Sequence, residues 1–104
     1  MAKQVSANDV HLAIGRPTVS IIDVRSPGEF AKGSIEGSVN LPINEIGEKI
    51  STLIPDKEKT IYLYCLSGSR SETAANILTG QGYINAFSMS NGLLMWRSKK
   101  YEVR

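Results

Sequence analysis

Short apolar runs rich in β-branched residues alternate along this chain with segments of helical spacing, and that alternation restricts the fold more than any other feature. Ser6-Ala7-Asn8-Asp9 reads as a capped helix start, with Val10, Ala13 and Ile14 spaced to face inward. Gly15 and Pro17 stop that helix. Residues 19–24 form a β-branched run suited to a buried strand. Residues 27–33 read as a turn with one turn of helix, and 38–41 as a short strand ended by Pro42. Ile43, Ile46, Ile50, Leu53 and Ile54 recur near helical spacing, which predicts an amphipathic helix over 43–53. A central strand over 60–64 follows. Then come a helix over 71–81 carrying Ala74, Ala75, Ile77 and Leu78, a last strand over 86–89 and a last helix over 91–99. Strands separated by helices of this length predict an α/β fold, a mostly parallel sheet with helices on both faces. In such sheets ligands bind at the carboxyl ends of the strands.

The chain of 104 residues suits one domain over 1–104, and a hydrophobic fraction of 41% supplies a core. Twelve basic and 10 acidic residues leave a net charge of +2, too balanced to point to nucleic acid or a membrane as partner. Arg97, Lys99, Lys100 and Arg104 read as a solvated surface. The single cysteine excludes an intrachain disulfide and fits a reducing compartment. With no signal-like leader and no run of membrane-spanning length, the expected location is the cytoplasm.

That one cysteine, Cys65, directly follows the strand Ile61-Tyr62-Leu63-Tyr64 and opens the stretch Leu66-Ser67-Gly68-Ser69-Arg70-Ser71. Two readings stand. A lone cysteine is commonly a small buried hydrophobe. Here, however, loop formers and hydrogen-bond donors follow it, and then a helix start. Backbone N–H groups of a curled loop and of a helix N-terminus favour negative charge, so the thiol is a candidate nucleophile with a lowered pKa. Ser69 and Glu72 have capping-box spacing, which predicts Ser69 as N-cap with Glu72 turned back to it. Gly68 lets the loop curl.

These residues resemble a known family. Cys65-Leu66-Ser67-Gly68-Ser69-Arg70-Ser71 is similar to the active-site loop of rhodanese-like sulfurtransferases, Cys-x-x-Gly-x-Arg-Ser. Asp23-Val24-Arg25-Ser26-Pro27-Gly28-Glu29-Phe30, with residues 33–42 after it, resembles the family's upstream motif. Asn91-Gly92-Leu93-Leu94-Met95-Trp96 resembles its Gly-Gly-x-x-x-Trp segment. Two positions depart from the pattern: Ser34 stands where the family often has His, and Asn91 where it often has Gly. Both departures are expected to affect packing more than chemistry. The resemblance covers almost the whole chain and implies a rhodanese-like sheet of about five strands.

The resemblance also implies a chemistry. Thiolate Cys65 takes the outer sulfur of a donor such as thiosulfate as a persulfide and passes it to a thiol or to cyanide, with no metal or organic cofactor. Lacking a second cysteine, the chain needs an external acceptor, and a protein could serve as donor or acceptor. The six residues from Cys65 to Arg70 match the loop length tied to sulfur transfer; relatives acting on phosphate or arsenate carry one more. A sulfur-carrier or redox-sensing module and an arsenate reductase or phosphatase are the alternatives. Arg70 either contacts an anionic donor or braces the loop. Asp23 and Arg25 resemble a structural charge pair, with Glu29 as a further support. Ser67 and Ser69 could donate to the sulfur or cap the helix. His11 reads as a surface residue, Leu93 and Trp96 as core, and Tyr62 and Tyr64 as packing on the strand face opposite Ile61 and Leu63.

Overall fold

The computed structural model describes residues 2–104. They form one five-stranded sheet in the order β1-β5-β4-β2-β3, with every neighbouring pair parallel. The strands are β1 (Lys3–Val5), β2 (Val19–Asp23), β3 (Val39–Asn40), β4 (Thr60–Tyr64) and β5 (Ala86–Met89). The helices are α1 (Ala7–Ala13), α2 (Pro27–Ala31), α3 (Ile43–Leu53), α4 (Ser69–Gly80) and α5 (Gly92–Ser98).

The side-chain alternation of β4 divides the core as the sequence predicts. Ile61 and Leu63 point to the face where Ile46 and Ile50 of α3 and Ala74, Ala75 and Leu78 of α4 pack, and Cys65 continues that register. Tyr62 and Tyr64 point to the other face, which holds Val10 of α1 and Leu93 and Trp96 of α5. The fully buried Tyr64 does more than pack. Its hydroxyl accepts from the Ile35 amide at 3.0 Å and lies 2.9 Å from Ser38 Oγ, tying the segment before β3 to the central strand.

The structure adds one strand and corrects one cap and one helix start. Strand β1 has no signal in the sequence: it is three residues long with only Val5 buried, and it exists because it pairs with the free side of β5. The turn of helix expected within 27–33 forms as α2, and it is capped. Ser26 Oγ accepts from the Glu29 amide, and Glu29 Oε1 accepts from the Ser26 amide, the capping box of α2. The box expected at Ser69 does not form. Gly68, with φ at 111°, is the N-cap of α4, Ser69 is already helical, and Glu72 accepts from Gln4 Nε2 at 3.4 Å instead. Helix α4 therefore begins two residues earlier than the expected 71–81 and ends at Gly80. Among the described residues no helix is long and apolar enough to cross a membrane.

Candidate active site

Cys65 sits at the carboxyl end of β4, the end where a parallel sheet presents its ligands. The chain leaves the strand, curls through Leu66, Ser67 and Gly68, and enters α4 so that its amides fold back over the sulfur. Gly68 N lies 3.1 Å and Ser71 N 3.4 Å from Cys65 Sγ, with Ser71 Oγ at 3.6 Å. The sulfur is fully buried. Burial alone would suit an inert packed cysteine, but the groups nearest the sulfur are N–H donors and a hydroxyl rather than only apolar atoms. Burial is the largest influence on the thiol and pushes its pKa up. Hydrogen bonds from the Ser71 amide and hydroxyl and from the Gly68 and Ser67 amides outweigh it, and the net position is below the ordinary cysteine value.

Helix α5 holds the other side of the loop. The Leu93 amide donates to Cys65 O at 3.0 Å and the Leu94 amide to Leu66 O at 3.1 Å, so the loop's carbonyls are bound away from the sulfur while its amides face it. This approach leaves no room for a side chain at Gly92: a Cβ there would lie 2.5 Å from both Cys65 O and Leu66 O. Asn91 takes the left-handed conformation, φ 61°, at the position where the resemblance has Gly. Asn is among the few residues that tolerate it, which accounts for that departure. Ser34, the other departure, exchanges backbone hydrogen bonds with Arg104.

The remaining candidates separate into two groups. Asp23 and Arg25 form a buried pair at the end of β2. Arg25 Nη2 reaches Asp23 Oδ2 at 2.7 Å and Gly33 O at 2.6 Å, and the Arg25 amide donates to Asp23 Oδ1 at 2.8 Å. Burial works against the Arg25 charge, but the Asp23 carboxylate overrides it and keeps the guanidinium more firmly protonated than usual. Glu29 belongs elsewhere. It grips Arg70, Nη1 to Oε1 at 2.8 Å and Nη2 to Oε2 at 3.1 Å, and this holds its carboxyl down at about 2. Arg70 thus braces the loop against α2. Neither the Ser67 nor the Ser69 hydroxyl bonds the sulfur or caps the helix; the Ser71 hydroxyl is the one beside it. His11 is exposed and stacks on Tyr101, and Leu93 and Trp96 are core as expected. A cavity of about 540 Å³ lies away from the sulfur, at the amino ends of β2 and β4 between Arg16, Val19, Leu53 and Lys59. Among the described residues no three His, Cys, Asp or Glu side chains gather as metal ligands.

The profile of the rhodanese-like domain family matches residues 6–99. The chain belongs to that family. Among curated relatives, this rhodanese-like chain is 40% identical over 62 residues to a thiosulfate sulfurtransferase of Escherichia coli, a match covering 60% of each chain. It is 31% identical over 87 residues to a thiosulfate sulfurtransferase of Pseudomonas entomophila, covering 84% of this chain and 78% of the relative. Its fold is similar to the crystal structure of a rhodanese-related protein from Thermoplasma volcanium, with a TM-score of 0.84, 30% identity and coverage of 98% and 97%. The expected family and α/β fold both hold. Ser88, absent from the expected site residues, also lies in the rhodanese-like site, 2.7 Å from Ser71 Oγ.

Proposed function

We propose that this chain is a sulfurtransferase that carries sulfane sulfur on Cys65, from thiosulfate or a similar donor to a thiol or cyanide. One observation carries the reading: the Gly68 and Ser71 amides and the Ser71 hydroxyl converge on a single sulfur atom, Cys65 Sγ. Donors aimed at one atom stabilise a thiolate, and they suit a reaction whose charge stays on sulfur. In the first step the Cys65 thiolate attacks the outer sulfur of thiosulfate. A sulfur–sulfur bond to Cys65 forms, the bond within thiosulfate breaks, and sulfite leaves with its electron pair. In the second step cyanide attacks the outer sulfur of the persulfide, thiocyanate departs, and the electron pair returns to Cys65 as thiolate. A thiolate acceptor would leave as its persulfide. Splitting the transfer in two lets one nucleophile serve both halves.

Since the sulfur is fully buried, attack requires the loop over it to part, and Leu66, Ser67 and Ser69 are the exposed residues of that loop. Arg70 is held by Glu29 at its base, and Asp23 with Arg25 fixes the neighbouring exit of β2. In this reading these four residues support the loop and Cys65 performs the chemistry, in a reducing compartment that keeps the thiol free.

Thiocyanate production from thiosulfate and cyanide tests the proposal, with hydrolysis of an aryl phosphate measured beside it. Thiocyanate is expected from the native chain and none from Cys65→Ala, with phosphate release near background in both. Phosphate release without sulfur transfer to cyanide or to any thiol would overturn the reading.

A further inference from the structure

We propose that Ser88, on β5, is a positioning residue for the Cys65 thiolate: its hydroxyl donates to Ser71 and leaves the Ser71 proton free to turn toward the sulfur. The inference deepens the sulfur-transfer reading and rests on it. Ser88 pairs with Leu63 across the sheet and points to the same face, beneath the first turn of α4. Its oxygen lies 2.7 Å from Ser71 Oγ, and both residues are fully buried.

The direction of that hydrogen bond follows by elimination. Each hydroxyl has one proton to place. Among the described residues the Ser88 side chain has no hydrogen-bond partner except Ser71 Oγ, and a buried O–H without an acceptor is costly. Ser71 has two other acceptors in reach, Gly68 O at 3.1 Å and Cys65 Sγ at 3.6 Å. Ser88 therefore donates and Ser71 accepts.

This arrangement serves both states of the sulfur. With Cys65 protonated, S–H donates to Ser71 Oγ and Ser71 donates to Gly68 O. When the proton leaves, the Ser71 hydroxyl rotates from Gly68 O to the sulfur, and the bond from Ser88 persists throughout. A hydroxyl that accepts one hydrogen bond is a stronger donor of the next, so Ser88 strengthens the bond that Ser71 gives to the thiolate. The charged residues of the elements around this site are Arg70 and Glu72 on α4, Glu29 on α2, the Asp23–Arg25 pair at the end of β2, and Glu45, Glu48 and Lys49 on α3. β5 carries no charged side chain, and in α5 only Arg97, in the last turn, is charged. All of these are unchanged by substitution at position 88.

The test is the pH dependence of Cys65 alkylation in the native chain, Ser88→Ala, Ser71→Ala and the double variant. Ser88→Thr and Ser88→Val, close in volume, separate the hydroxyl from packing. Ser88→Ala and Ser88→Val are expected to raise the midpoint by about half a unit, a loss of roughly threefold in thiolate below it. Ser88→Thr should titrate like the native chain, and the double variant like Ser71→Ala alone. Equal midpoints for Thr and Val, or a Ser88→Ala shift that survives in the Ser71→Ala background, would overturn the proposal. Alkylation needs no sulfur donor. A native chain that titrates as expected but forms no persulfide would therefore count against sulfur transfer and leave the role of Ser88 in holding the thiolate intact.

Discussion

Arg70 and Glu29, 41 residues apart, meet as a forked pair that joins the active-site loop to α2. The same Glu29 Oε1 closes the capping box with Ser26, so the loop brace and the helix cap share one oxygen. This pair makes stability depend on pH in a defined window. The folded Glu29 carboxyl, held by Arg70, titrates at about 2 against an ordinary value of 4.5. A depressed pKa means the contribution is complete above about pH 4.5 and is lost as pH falls through about 2. Both side chains are about one-third exposed, so solvent screening limits the pair to about 1 kcal/mol or less. Glu29→Gln keeps a residue able to close the cap and removes the charge. Its unfolding midpoint in urea is expected to lie below that of the native chain at pH 7 and to converge with it at low pH. A gap that is constant from pH 7 to 2 would show that the charge does not contribute.

The buried pair at the end of β2 should behave differently. Asp23 is fully buried, and Arg25 places a guanidinium nitrogen 2.7 Å from it with almost no contact with water. Asp23→Asn leaves the Arg25 charge buried without its counter-ion, which typically costs about 3–5 kcal/mol. Urea denaturation at neutral pH measures it. A loss below about 1 kcal/mol, the range of surface pairs, would mean that Arg25 finds water in the folded chain.

Gly92 should be the least replaceable glycine. Its φ is 52°, and an added Cβ would meet two backbone carbonyls at 2.5 Å. Overpacking against backbone and a left-handed side chain together cost about 2–5 kcal/mol. Gly92→Ala is expected to destabilise by that amount and to raise the Cys65 alkylation midpoint, because α5 would no longer hold the loop's carbonyls away from the sulfur. Gly28→Ala is the control, since nothing lies within 4 Å of a Cβ there. Equal urea midpoints for the two variants would contradict the close approach of α5 to the loop.

Much of this site was legible in the sequence because strand exits are. The β-branched run of β4 and the loop formers after it place Cys65 at a carboxyl end without any coordinates, and the isoleucine spacing locates α3 at its observed bounds. The caps were harder because Ser-x-x-Glu occurs at both 26–29 and 69–72, and spacing alone does not say which serine stands outside its helix. Pro27, at the first helical position, was the signal for the first. At the second, the left-handed Gly68 starts the helix one residue too early for Ser69 to cap it. β1 escapes because its strand character comes from the open side of β5 rather than from its own residues. Ser88 escapes because a serine inside a strand acquires a role only once α4 brings Ser71 above it.

The central claim is that the sulfur under the Gly68 and Ser71 amides carries the transferred atom, and intact-protein mass after incubation with thiosulfate tests it most directly. The expected result is one added sulfur per chain, absent from Cys65→Ala and removed by cyanide as thiocyanate. An unchanged mass in a chain that still produces thiocyanate, or a sulfur adduct that persists in Cys65→Ala, would contradict the account.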